Sequence, residues 1–277
     1  MSPFMTLKEK FNELESSGGA LLATNFYNFE TVTGVLRAAA NLNVPIILQA
    51  SPSTINYLGV EMTAAIGKTA MRDHGVQGWL HLDHAEDPEM IRACLEAGFD
   101  SVMIDASEKS IDKNVEITSR IVDLASRFDA NVEAELGYVA KLGQSHEKEG
   151  FTKPDEAADF VQRTGVNALA VAIGSAHGFY TKDPKLDLDL LSEIHSATDA
   201  ALVLHGGSGI PDEQLQEGIR RGIRKINLAT EIKNIFMKTV QKELSGSDEI
   251  DLRQVFPPAM DQVTTLVTAK LKTVRSA

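Results

Sequence analysis

The stretch Ala201-Leu202-Val203-Leu204-His205-Gly206-Gly207-Ser208-Gly209-Ile210-Pro211-Asp212 reads as a buried strand handed over to a helix. An aliphatic run without polar alternation is the mark of a parallel strand covered on both faces. The glycines free the backbone for a tight turn, and Pro-Asp then opens a helix, where a missing N–H and a carboxylate are both favourable. The same grammar repeats along the chain. Apolar runs at 20–26, 44–51, 78–84, 101–107, 131–137, 168–175, 201–208 and 225–230 predict eight strands. Between them, segments such as 30–42, 88–98, 111–128, 154–164, 188–195 and 211–221 place apolar residues at three- and four-residue spacing, the period of a helix packed on one face. Asp87-Pro88 marks a helix start, and Ala97-Gly98 and Thr164-Gly165 mark helix ends. Eight strand–helix alternations predict an α/β fold, a (β/α)8 barrel of one domain over 1–277, with an added helix before the first strand and a helical tail from about Pro258. A doubly wound open sheet is the main competitor. It usually stops near six strands and carries a Gly-rich turn after the first, where this chain has Asn25-Phe26-Tyr27-Asn28.

Composition narrows the function classes. The 277 residues are 43% hydrophobic and 24% charged with a net charge of −12, which argues against a surface built for nucleic acid, since polyanions are held by clustered Lys and Arg. The single cysteine, Cys94, lies in a helical pattern and reads as a small core residue, in keeping with a reducing compartment. The N-terminal segment alternates charge with apolar residues, so neither a secretion signal nor a membrane span is expected and the chain reads as cytoplasmic.

Chemistry should concentrate at the carboxyl ends of the strands, which converge on one face of such a barrel. His84, His177 and His205 each stand within three residues of the end of a separate apolar run. Three imidazoles plus an open position are what a catalytic zinc site requires. Asp83, beside His84, is placed to shuttle a proton next to a metal rather than to bind it. His74, His146 and His195 read as surface or helix residues, and His81 lies within its strand, below the others.

The turns after the last two strands suggest an anion. Gly206-Gly207-Ser208-Gly209 presents backbone N–H groups unobstructed, and Asn227-Leu228-Ala229-Thr230 runs into a helix whose first amides are unpaired. In barrels these loops frequently hold phosphate. The sixth strand carries no lysine and Lys225 begins the eighth, so carbonyl activation through a Schiff base is not expected, which leaves a metal to do it.

Taken together, the motifs LHLDH, SVMIDAS, VEAELG, LAVAIGSAHG, LVLHGGSGIPDE and KINLATE resemble, in this order and over nearly the whole chain, the class II zinc-dependent ketose-bisphosphate aldolases, which include the fructose- and tagatose-bisphosphate enzymes. The resemblance implies a lyase of carbohydrate metabolism, as in glycolysis, that reversibly cleaves a phosphorylated ketose to dihydroxyacetone phosphate and an aldehyde. It implies Zn2+, or another divalent metal, on His84, His177 and His205, with Asp83 as proton donor and acceptor at the C4 hydroxyl. Gly178, Gly206, Gly207, Ser208, Asn227, Leu228, Ala229 and Thr230 would hold the phosphorylated half, with a monovalent cation (Na+ or K+) nearby. Asp105 and Glu135 match acidic positions near the metal or at an alternative, buried metal position. A homodimer or homotetramer is the implied assembly.

Two departures stand out. In these relatives a Gly-Gly pair and then an acid follow the ELG motif. Here the loop reads Gly137-Tyr138-Val139-Ala140-Lys141-Leu142-Gly143-Gln144, leaving Glu147 and Glu149 as the acids that could reach in. The basic residue for the second phosphate is also not identifiable among Arg253, Lys270 and Lys272. An aldolase-like barrel of altered substrate therefore stays open, as does an accessory, non-catalytic subunit. A zinc-dependent hydrolase on the same barrel is disfavoured, because 20–28 lacks the His-x-His pair such enzymes often use.

Overall fold

Leu21–Asn25 (β1), Ile46–Ala50 (β2), Gly78–Ala85 (β3), Ser101–Ile104 (β4), Asn131–Leu136 (β5), Ala168–Val171 (β7), Ala201–Leu204 (β9) and Ile223–Leu228 (β10) close on themselves as a parallel barrel, in the order β1-β10-β9-β7-β5-β4-β3-β2. Two further short strands, Ala140–Lys141 (β6) and Ala176–His177 (β8), pair in parallel outside the barrel. The coordinates are a computed structural model and describe residues 5–137, 140–141, 150–178, 180 and 184–277.

The helices are α1 (Leu7–Ser17), α2 (Phe29–Leu42), α3 (Pro52–Leu58), α4 (Val60–Asp73), α5 (Pro88–Glu96), α6 (Ile111–Ala125), α7 (Pro154–Thr164), α8 (Leu188–Ala197), α9 (Asp212–Arg220), α10 (Thr230–Leu244), α11 (Leu252–Val255) and α12 (Pro257–Arg275). Their ends follow local chemistry. Asn28 and Thr31 close a reciprocal cap on α2, Asp87 accepts from Glu89 N with Pro88 at the first turn of α5, and Gly165 takes the left-handed conformation that ends α7. Among the described residues no helix is long and apolar enough to cross a membrane.

Burial separates two apolar layers. Leu80, Leu82, Val102, Val132, Leu202 and Leu204 face the surrounding helices, whereas Leu21, Ala23, Ile47, Trp79, Ala168, Ala170 and Val203 fill the lower barrel interior, and Leu7, Phe11 and Leu14 of α1 plug its base. Above this plug the interior turns polar. Gln49, His81, Ser101, Asn131, Glu133 and Lys225 are all buried, and this layer forms the floor of the site.

Several expected strands are longer than the real ones. The runs at 101–107, 168–175 and 201–208 leave the sheet at Ile104, Val171 and Leu204, because their last residues form the loops that carry functional side chains inward. The eighth strand begins at Ile223 rather than Lys225. Arg224 is accommodated there because its guanidinium bonds the Ile219 and Ile223 carbonyls and reaches Glu15 of α1 at 2.8 Å.

Candidate active site

His84 reaches the barrel mouth through a break in its strand. Alternation along β3 sends His81 and Asp83 inward and would send His84 outward. The pairing with β4 instead shifts register between Leu82 and Ala85, and His84 adopts φ 51°. Such a left-handed conformation at a non-glycine residue is a local strain that the surrounding structure must impose. The bulge lets two consecutive side chains, Asp83 and His84, serve one site.

The three candidate histidines converge. The His84 ring lies 4.9 Å from that of His177 and 4.5 Å from that of His205, centroid to centroid. With Glu135 they form a group whose potential ligand atoms all lie within 4.8 Å of one another. His84 Nδ1 donates to Asp105 Oδ2 at 2.8 Å, and Asp105 is itself fixed by the N–H and hydroxyl of Ser107. That leaves His84 Nε2 buried with no partner. His205 Nε2 donates to Glu133 Oε1 at 2.9 Å, so its Nδ1 faces the cluster, 3.0 Å from Glu135 Oε2 but without hydrogen-bond alignment.

Buried polar atoms are nearly always satisfied. His84 Nε2 has no partner, and His205 Nδ1 and Glu135 Oε2 have only each other at 3.0 Å without hydrogen-bond alignment; together they form a donor set suited to a divalent cation. The anchoring of each imidazole's other nitrogen by a carboxylate is the arrangement that fixes the tautomer of metal-binding histidines. The residues present therefore fit a metal, and Asp105 serves as the support of His84.

Electrostatics agree with that arrangement. Burial, reinforced by His205 and His84, pushes His177 down to about 3, so its imidazole is neutral and ready to ligate. Burial also works against a charged His205, yet Glu133 and Glu135 lift it to about 10.

Asp83 stands beside this cluster. Its Oδ2 accepts from Asn25 Nδ2 at 3.1 Å and its Oδ1 from Asn227 Nδ2 at 3.3 Å. Burial favours the neutral acid, but the charges of His84, Lys225 and His205 outweigh it and hold Asp83 below the usual carboxylate range.

Beneath the cluster lies a buried ion pair that the sequence reading did not assign. Lys225 Nζ sits 2.7 Å from Glu133 Oε2, and both side chains are at most 1% exposed. Lys225 is thus in the middle of the barrel interior, with its ammonium committed to Glu133. Glu133 was legible in principle, since Glu133-x-Glu135 puts both carboxylates on one face of β5. Gln49 was also missed. It is fully buried with both side-chain polar atoms unpartnered, next in register to Asn25 and His81.

The expected phosphate turns meet. Gly207 N–H donates to Asn227 O at 3.0 Å, and Glu231 N lies 3.5 Å from Ser208 Oγ. Gly206 (φ 69°) and Gly207 cannot carry a side chain: a Cβ on either would strike backbone, that of Ala176 or Asn227. Leu228 belongs to the layer under the helices, so only its backbone faces the site region. Glu147 and Glu149 lie outside the described residues. Arg253 is engaged by Asp251 and Lys270 by Asp212.

The family described as "Fructose-bisphosphate aldolase class-II" matches residues 5–277. The YdjI aldolase from Escherichia coli K12 is 29% identical with a TM-score of 0.87, covering 97% of this chain and 96% of that one. A fructose-bisphosphate aldolase from Campylobacter jejuni, at 20% identity and TM-score 0.84 over 98% and 95% of the two chains, shares the fold. A barrel with strand-end histidines in these positions, matched by the family over all but the first four residues, belongs to the class-II fructose-bisphosphate aldolases.

Proposed function

We propose that this protein is a metal-dependent lyase that reversibly cleaves a phosphorylated ketose, of the fructose- or tagatose-bisphosphate type, to dihydroxyacetone phosphate and an aldehyde. The observation that carries this reading is the convergence of His84, Glu135, His177 and His205, whose potential ligand atoms all lie within 4.8 Å of one another, beside an Asp83 held below the usual carboxylate range. His84, His177 and His205, with Glu135 in reach, would hold the cation. A divalent ion there, Zn2+ being the expected one, supplies Lewis acidity that draws electron density from the ketose carbonyl as the C3–C4 bond breaks.

The protein's own groups handle the C4 proton and the phosphate, and the proton that C3 takes up to complete dihydroxyacetone phosphate falls to an acid of the loop after Gly137, for which the sequence offers Glu147 and Glu149. Asp83, kept ionised by the charges of His84, Lys225 and His205 and oriented by the Asn25 and Asn227 amides, accepts the proton of the C4 hydroxyl during cleavage and returns it during condensation. The turn at 206–209 and the start of α10 anchor a phosphate. Ser208 offers its hydroxyl, and the backbone N–H groups of Ser208 and Thr230 have no partner among the described residues. Anchoring fixes the reacting carbons and so lowers the entropic part of the barrier. Glu231 Oε1 accepts from Gly209 N–H at 2.9 Å, which withdraws that amide from the anion and leaves Ser208 the central donor.

Ser208→Ala is therefore expected to raise KM by about tenfold while leaving kcat within about twofold, since the anchor acts on ground and transition states alike. Steady-state kinetics checks this, and a loss confined to kcat contradicts it. The reading as a whole is tested by a coupled assay for dihydroxyacetone phosphate with fructose, tagatose and sorbose bisphosphates and their 1-phosphates. Release from at least one by the zinc-loaded protein, abolished in His84→Ala, is expected. No release from any, with wild type and His84→Ala alike, rejects it.

A further inference from the structure

Two tyrosines lie against the turns that would hold the anion. Tyr180 accepts a hydrogen bond at its hydroxyl from Ala176 N (2.7 Å) and donates from it to Gly206 O (3.0 Å), and its ring packs beside Gly209. Tyr27, from the loop after β1, donates its hydroxyl to Ala229 O at 3.3 Å, with Lys233 Nζ 5.7 Å above its ring. Ala176 precedes His177, Gly206 follows His205, and Ala229 precedes Thr230 at the start of α10. Burial raises both hydroxyls, Tyr180 to about 12, so both stay protonated and able to donate.

A backbone turn receives an anion only when its N–H groups point inward and its carbonyl oxygens point away. In a glycine-rich turn that orientation is weakly determined, because Gly206 and Gly209 at φ 69° and 84° have other basins within easy reach. A hydroxyl donating to the carbonyl oxygen fixes the peptide plane. The Gly206 peptide is held at both ends, its oxygen by Tyr180 and the following N–H by Asn227 O. The Ala229 oxygen accepts from Tyr27 at 3.3 Å and from Lys233 N–H of α10 at 3.4 Å, which turns the Thr230 N–H the other way.

We infer that Tyr27 and Tyr180 are positioning residues: the Tyr27 hydroxyl holds the Ala229 carbonyl turned away so that the Thr230 N–H faces a phosphate group, and Tyr180, together with Asn227 O, fixes the Gly206–Gly207 peptide from which the free Ser208 N–H follows and ties that turn to the strand bearing His177. The inference rests on the phosphate-turn reading above. The geometry separates the two roles: among the described residues the Tyr27 hydroxyl bonds the anion turn alone, whereas the Tyr180 hydroxyl also bonds the backbone beside two candidate metal ligands.

The test uses metal-loaded protein and inorganic phosphate as the probe, with binding measured by calorimetry in wild type, Tyr27→Phe, Tyr180→Phe and Ser208→Ala. Each phenylalanine variant is expected to weaken phosphate binding about five- to tenfold, the scale of one lost hydrogen bond to an ordered site. It should also raise KM for the phosphorylated ketose more than it lowers kcat. Metal content and the unfolding midpoint should stay at wild-type values in Tyr27→Phe. Phosphate affinity equal to wild type in both phenylalanine variants, while Ser208→Ala loses it, overturns the inference and leaves the phosphate turn intact. A parallel fall in metal content and unfolding midpoint in Tyr27→Phe also overturns it, because that marks a general structural role. If wild type binds no phosphate, or Ser208→Ala binds it unchanged, the underlying anion site fails and the inference with it.

Discussion

Asp83→Ala is expected to retain one divalent cation per chain and to lose cleavage by about two to four orders of magnitude, the usual scale for a general acid–base group. Metal should stay because Asp83 is not among the grouped donors, His84, Glu135, His177 and His205, and its oxygens are instead engaged by Asn25 and Asn227. Rate should fall because no other group is described as both ionised and held in this position. The side-chain amides of Asn25 and Asn227 donate to Asp83, and an amide cannot take up a hydroxyl proton. Metal analysis alongside single-turnover kinetics decides the point. Equal metal content with an unchanged rate removes Asp83 from the mechanism.

Lys225→Met is the second large effect. The substitution leaves Glu133 fully buried without its 2.7 Å partner, and breaking a buried pair from one side typically costs about 3–5 kcal/mol. A second consequence reaches the site: Glu133 that loses its charge or its orientation no longer holds Nε2–H of His205, and supporting carboxylates of this kind are usually worth about 10–100-fold in metal affinity. Denaturant unfolding and competition with a chromophoric chelator measure the two separately. The double variant Glu133→Gln with Lys225→Met is expected to regain much of the stability but not the metal affinity, because a neutral pair removes the buried charge without restoring a carboxylate to His205. Wild-type stability and metal affinity in Lys225→Met contradict this account of the barrel floor.

The barrel was legible because each strand is a continuous apolar run and each helix carries its own start or stop signal, as at Asp87-Pro88 and Thr164-Gly165. Strand-end histidines were legible for the same reason: the fold brings those ends together whatever the side chains do. Strand alternation was misleading at Asp83-His84, which should face opposite ways and do not. Only the bulge against β4 and the φ of His84 bring both inward, and a bulge has no reliable signal in a single sequence.

Lys225 was placed at the starting end of the eighth strand because the apolar run was read from Lys225, whereas the strand begins two residues earlier at Ile223. Arg224 reaches Glu15 of α1, and the lysine is drawn into the interior by Glu133, a partner 92 residues away in sequence. Long-range pairing of this kind, like that of β6 with β8, is set by tertiary contact. The roles of Tyr27 and Tyr180 depend on it too, since each hydroxyl reaches a turn from another strand.

The central claim, that imidazoles from three strands share one cation, is tested most directly by titrating chelator-stripped protein with Zn2+. Wild type should take up one tightly bound ion per chain, and His84→Ala, His177→Ala and His205→Ala should each lose that uptake by orders of magnitude. Wild-type uptake in any two of these variants, or full cleavage activity in protein freed of metal, contradicts it.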